Sequence, residues 1–232
     1  MDIVLLKNLL KSVRGNFSGY MQAVLKASAD HGTFGMNLLE AMYREFPATA
    51  CENCGVCCNA VSIYSLEYHY LLREVMSRQT PEQIRLTFQR IFAWPERMVE
   101  GGEERRIRCP FRDDAIKVCL VHPARPFACR LFGMKKADGT RDCDRVRELV
   151  GSPGTGGATA GDVDYESFQH KVMENSESWE VYPDRPPISF FPFDFWVLRY
   201  AIGPQKALRI YRDILVPAST PLTAFWQNFP KK

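Results

Sequence analysis

Cysteine is missing from the first 50 residues of this 232-residue chain and from everything after position 143, so all eight thiols fall within one central stretch. No run of about 18 uncharged apolar residues occurs, which leaves no candidate for a membrane span. The segment Met1 to Lys11 breaks its apolar residues with charges and has no small-residue cleavage site, so it does not read as a signal peptide. A reducing cytoplasm is the expected setting, and there clustered cysteines serve as metal ligands or redox centres rather than as structural disulfides. An excess of one charge is lacking too. Thirty basic and 27 acidic residues give a formal charge of +3, too close to balance to signal nucleic acid or an anionic membrane. Familiar catalytic signatures are absent: there is no H-E-x-x-H, no G-x-S-x-G and no complete G-x-G-x-x-G. The radical-SAM spacing fails at Val61, where a third cysteine would follow Cys54 and Cys58. The glycine-rich stretch 151–161 lacks the Gly-Lys-Ser/Thr ending of a phosphate loop and follows no convincing strand. Of four histidines, only His122, at C-x-x-H spacing from Cys119, stands in a ligand-like pattern.

What is present is Cys51-Glu52-Asn53-Cys54-Gly55-Val56-Cys57-Cys58, answered downstream by Cys109-Pro110, Cys119, Cys129 and Cys143. C-x-x-C lets two thiolates from one tight turn reach a single ion at roughly 2.3 Å, and Gly55 permits the positive φ that such a turn often needs. Cys57 and Cys58 are awkward partners on one tetrahedral ion, because adjacent side chains diverge on a strand and on a helix alike. Two metal centres, a polynuclear cluster, or one non-ligand cysteine would each resolve the crowding. Pro110 removes a competing N–H beside Cys109, as a proline does after the final cysteine of ferredoxin-type runs. Pro126 is suited to open a helix that carries Cys129 in its first turn, where unpaired N–H groups favour a thiolate. Arg125 and Arg130 are then placed to donate to the sulfurs or to balance their charge. Basic residues outnumber acidic ones between Glu104 and Lys136, which suits an anionic thiolate site and equally a solvated basic surface.

The ordered set Cys51-x-x-Cys54-Gly55-x-Cys57-Cys58, Cys109-Pro110-Phe111, Cys119 and Arg125-Pro126-x-x-Cys129-Arg130 resembles the CxxCxxCC cysteine-cluster family, YkgJ-type zinc- or iron-chelating domains. It departs from the family at His122, where an aromatic residue is usual, and Cys143 has no assigned place in the pattern. The resemblance covers the middle of the chain. It implies metal binding, and it admits a cluster-dependent methyl transfer, because flagellin lysine N-methylases look similar in this block.

The expected fold is mainly α: a helical body with an irregular cysteine-rich metal-binding region and at most a short β element, residues 116–121. Apolar spacing predicts helices over 2–13, 19–29 and 34–46, then 65–78 with Ser65 as a cap, and 81–99 behind Thr80-Pro81. A short helix is expected at 142–150 around Cys143, and further helices at 162–179 with Asp162 as cap, at 193–202 and at 204–215. This divides the chain into 1–150 (helical body with the cysteine cluster), a flexible glycine-rich linker at 151–161, and an aromatic-rich helical extension at 162–232. The aromatics Phe190, Phe191, Phe193, Phe195 and Trp196 are expected to pack that extension on the body, with Phe225, Trp226 and Phe229 docking there or on a partner.

The expected ligands are Cys51, Cys54, Cys57, Cys58, Cys109, Cys119, Cys129 and Cys143. An iron-sulfur cluster, such as 4Fe-4S, is favoured because it accommodates Cys57 beside Cys58. Structural zinc is the alternative, and thiol-disulfide exchange needs far fewer thiols than are present. The functional expectations are a metal-bound fold, an enzyme using the cluster, or a carrier that hands metal to a protein client.

Overall fold

A computed structural model describes residues 3–30, 32–45, 55, 58, 61–100, 109–132, 165–218 and 220–232. Three consecutive helices open the chain, α1 (Ile3–Gly15), α2 (Phe17–Asp30) and α3 (Gly32–Glu45), as the apolar spacing predicts. Tyr20, Met21 and Val24 of α2 and Met36, Leu39, Met42 and Tyr43 of α3 are buried, at the i, i+3, i+4 intervals of one helix face.

Strand β1 (Ser62–Tyr64) runs directly into α4 (Ser65–Arg78). Ser65 does not cap this helix. Its Oγ accepts the distant Glu177 N–H at 2.8 Å, while the Glu67 carboxylate takes the Tyr64 N–H at 3.1 Å. Helix α5 (Pro81–Glu100) begins as its sequence dictates: Thr80 Oγ1 accepts the Gln83 N–H and Gln83 Oε1 accepts the Thr80 N–H, a reciprocal cap ahead of a first-turn proline. Phe88, Ile91 and Phe92 point inward.

The expected β element is a hairpin of β2 (Arg112–Asp113) and β3 (Val118–Cys119), shorter than the β-branched run suggested. Asp113 Oδ1 receives the Ala115 and Ile116 N–H groups, so the carboxylate replaces strand pairing with a turn, and Ile116 is left exposed. After a short 3-10 turn (His122–Ala124) comes α6 (Phe127–Leu131), with Pro126 just outside it as the N-cap.

A second ladder was not expected. Strand β4 (Phe190–Pro192) pairs antiparallel with β1 in the register Ser62↔Pro192, Ile63↔Phe191, Tyr64↔Phe190, and it too runs directly into a helix, α8 (Phe193–Ile202). Its backbone partner lies 128 residues upstream, beyond the reach of any local pattern. The preceding helix, α7 (Tyr165–Glu174), is shorter than the expected 162–179; Trp179 instead exchanges backbone hydrogen bonds with Ile188. Asp162, the helix at 142–150 and the stretch 151–161 lie outside the described residues.

Gly203 joins α8 to α9 (Pro204–Ile210) at φ +86°, a value that disfavours side chains, and a π-helical turn (Tyr211–Leu215) follows. The aromatic stretch packs into the body. Phe191, Phe195 and Trp196 are fully buried in one cluster with residues of α2, α4 and α5, and the Trp196 indole donates to the Ile63 carbonyl at 2.9 Å. In α10 (Thr220–Asn228) Trp226 is buried and donates to the Tyr211 hydroxyl, so the tail docks on this same surface. Among the described residues no helix is long and apolar enough to cross a membrane.

Two buried polar groups in this core differ in kind. His69 is satisfied on both ring nitrogens, by Ser28 Oγ and by the Tyr200 hydroxyl, each at 2.8 Å, and the Tyr200 hydroxyl donates its own hydrogen bond to Glu177 Oε1 at 2.8 Å. Asp194 is fully buried with neither carboxylate oxygen in a well-formed hydrogen bond among the described residues. Burial raises its pKa from 3.8 to about 7, opposed only by nearby N–H groups at the start of α8. The folded chain therefore holds a proton that the unfolded chain releases, and stability falls as pH rises from about 4 through 7. Asp194→Asn removes this titration. Comparing the two proteins by urea denaturation, the variant gains on wild type by roughly 4 kcal/mol between pH 4 and pH 8; parallel pH profiles contradict the assignment.

Candidate metal centre

Four of the eight expected ligands, Cys58, Cys109, Cys119 and Cys129, are described, and all four are half-buried. Cys51, Cys54, Cys57 and Cys143 lie outside the described residues. Gly55 has φ +76°, and the Cys58 N–H bonds back to the Gly55 carbonyl at 3.2 Å. This is the left-handed glycine turn that the knuckle motif requires.

The knuckle meets the downstream segment through the backbone. Cys109 N–H donates to the Cys58 carbonyl at 3.0 Å, across 51 residues of sequence. The Cys109 carbonyl in turn accepts the Arg112 N–H at 3.0 Å, which closes the turn at Pro110-Phe111 and starts β2. Arg112 sits opposite Cys119 in the hairpin. Cys58, Cys109 and Cys119 are thus tied by a short succession of main-chain bonds, although no group of three or more His, Cys, Asp or Glu side chains among the described residues converges closely enough to hold an ion. Phe111 anchors the hairpin edge-on against Phe193 of α8, with centroids 5.0 Å apart.

Cys129 arrives by a separate route. The fully buried Glu67 of α4 accepts three hydrogen bonds: from the Phe127 N–H (2.7 Å), the Tyr43 hydroxyl (2.6 Å) and the Tyr64 N–H (3.1 Å). The first pins the opening turn of α6, two residues before Cys129. Burial raises the Glu67 pKa, and the three donors and Arg130 oppose that rise. Cys129 lies near enough to Tyr43 for its charge to push that phenol further up.

The two arginines assigned to the sulfurs have other contacts. Arg130 donates to the Arg125 and Pro123 carbonyls at 3.0 and 2.7 Å and lies over the Tyr43 ring at 4.0 Å. It shapes the loop carrying Arg-Pro-x-x-Cys. Arg125 approaches His122 Nε2 at 3.2 Å, and burial together with both arginines lowers the His122 pKa.

Residues 50–146 match the model of the CxxCxxCC family, whose description reads "Putative zinc- or iron-chelating domain". The match lies in the middle of the chain and spans less than half of its length. No curated protein and no solved structure matches the chain. Every cysteine in the sequence falls within the matched CxxCxxCC region, as do Arg112, Arg125 and Arg130.

Sequence reasoning missed Glu67, Tyr43 and the burial of Arg112. Glu67 did leave a trace, as a lone carboxylate inside Tyr64-Ser65-Leu66-Glu67-Tyr68, where a solvent-facing charge would be out of place. Its removal strands two N–H groups and a phenol in the interior. Glu67→Ala is expected to cost on the order of 3 kcal/mol in chemical denaturation, against about 1 kcal/mol for Tyr43→Phe, which removes only one of the donors.

Proposed function

We propose that the CxxCxxCC domain binds metal through cysteines of the 51–58 knuckle together with Cys109, Cys119 and Cys129, with Cys143 as a further candidate, and that the metal is an iron-sulfur cluster. The observation that carries this reading is the Cys109 N–H bond to the Cys58 carbonyl, which joins two cysteine blocks far apart in sequence at their ligand residues. Thiolates from both blocks fit either metal that the family description names, and a cluster several ångströms across relieves the crowding of Cys57 and Cys58. Half-burial of the described cysteines suits a centre shielded from water yet reachable for assembly. When bound, the group supplies a crosslink between the knuckle, the hairpin and α6, and an iron-sulfur group adds one-electron redox capacity.

The chain's own part is to hold these ligands. Glu67 fixes the start of α6, Arg130 shapes the preceding loop, and Phe111 seats the hairpin on the core. Arg125 and Arg130 border the thiolates as cations and favour their deprotonated form. Structural zinc is the second reading, favoured by the Gly55 turn, whose positive φ is the geometry of a C-x-x-C-Gly knuckle. Protein purified without oxygen distinguishes them. Iron and acid-labile sulfide with a broad absorption near about 400 nm select the cluster, a colourless zinc-loaded sample selects zinc, and neither metal near stoichiometry overturns the proposal. Serine at Cys58, Cys109, Cys119 or Cys129 is expected to lower metal content to roughly a tenth of wild type or less, and stripping the metal to lower Tm by about 10 °C or more.

A further inference from the structure

The hairpin carries a buried cation with a donor left over. In the β2–β3 ladder Leu120 N–H donates to the Phe111 carbonyl at 2.9 Å, so the flanking pair Arg112 and Cys119 is of the type without mutual hydrogen bonds. In that type the two Cα atoms stand about 4.5 Å apart and the side chains leave the same face in close company. The Arg112 side chain is only 2 % exposed. Its Nε reaches Asp114 Oδ1 at 3.2 Å, but Asp114 is 55 % exposed and well screened. Nη1 is buried and has no hydrogen-bond partner among the described residues. A guanidinium buried this deeply is costly unless its donors are met by an anion or acceptor. The neighbouring cations are committed elsewhere: Arg90 to Asp113, and Arg130 to two carbonyls and Tyr43.

We propose that Arg112 is a positioning residue of the metal centre, its guanidinium donating to the metal-bound sulfur of Cys119 and offsetting the negative charge of the thiolates. This rests on the metal-binding reading above. The cross-strand neighbour Cys119 becomes an anionic acceptor when a metal is bound, and a charge-assisted N–H to sulfur bond stabilises that form. The same positive charge makes a redox-active centre easier to reduce, because reduction adds negative charge beside it. Lysine keeps the charge but loses the planar fork that serves Asp114 and the sulfur together.

The test uses the full chain purified without oxygen, as wild type, Arg112→Gln and Arg112→Lys. Metal affinity is read by chelator competition, midpoint potential by redox titration where iron is present, and Tm for each loaded protein. Arg112→Gln is expected to bind metal 10- to 100-fold more weakly and to show a lower midpoint potential, with Arg112→Lys between it and wild type. Arg112→Gln with a lower Tm but unchanged affinity and potential overturns the proposal, since the residue then only fills space. If Arg112→Gln fails to fold, Arg112→Lys decides, and equality with wild type in affinity and potential overturns the role. A wild-type chain without metal overturns the metal-binding reading itself, an outcome distinct from metal-loaded variants that match wild type.

Discussion

The Glu67 carboxylate joins three parts of the chain that share no sequence neighbourhood. It receives a phenol from α3, a main-chain N–H from the end of β1 and a main-chain N–H from the start of α6. Each donor is buried, so each would be left without water if the carboxylate were lost. The arrangement is therefore mutual: the carboxylate is tolerable inside because three donors and the nearby Arg130 meet it, and the α6 turn is fixed because the carboxylate is there. Because α6 carries Cys129, a carboxylate engaged by three donors helps to fix where one candidate ligand sits.

The rest of the CxxCxxCC region is anchored by a different device. The Cys58 to Cys109 backbone bond and the hairpin register tie three cysteines through main-chain bonds, with the Gly55 conformation and the Asp113 carboxylate shaping the turns. Packing side chains add adhesion. Phe111 lies against Phe193, which itself belongs to the aromatic stretch after β4. The C-terminal third thus reaches the cysteine region twice, through the β1–β4 ladder and through this ring contact.

Helices were legible wherever the apolar period was unbroken. α1 to α5 and the pair around Gly203 follow from i, i+4 spacing and from local caps such as Thr80-Pro81. The β1–β4 ladder was not legible, because Ile63 and Phe191 pair across 128 residues and each strand is only three residues long. Ser65 misled for a similar reason: its hydroxyl is a good local cap in sequence terms, but a partner 112 residues away takes it. In the candidate site the thiols and the Gly55 turn could be read directly, since their chemistry is local. Glu67 and Arg112 could not, because what matters in each is burial, and a charged residue carries no mark of burial in its own identity.

Burial also orders the three arginines of the site by what they can contribute. Arg130 uses its N–H groups on carbonyls of its own loop and its face on Tyr43. Arg125 sits against His122, whose pKa is depressed by burial and then by Arg125 itself. Arg112 differs from both in being buried beside Cys119 with an unspent donor among the described residues. A low-dielectric setting magnifies a short charge contact and a poorly placed one alike. The arginine that sequence proximity to Arg-Pro-x-x-Cys made least prominent is therefore the one to which the proposal above gives a direct contact with a thiolate.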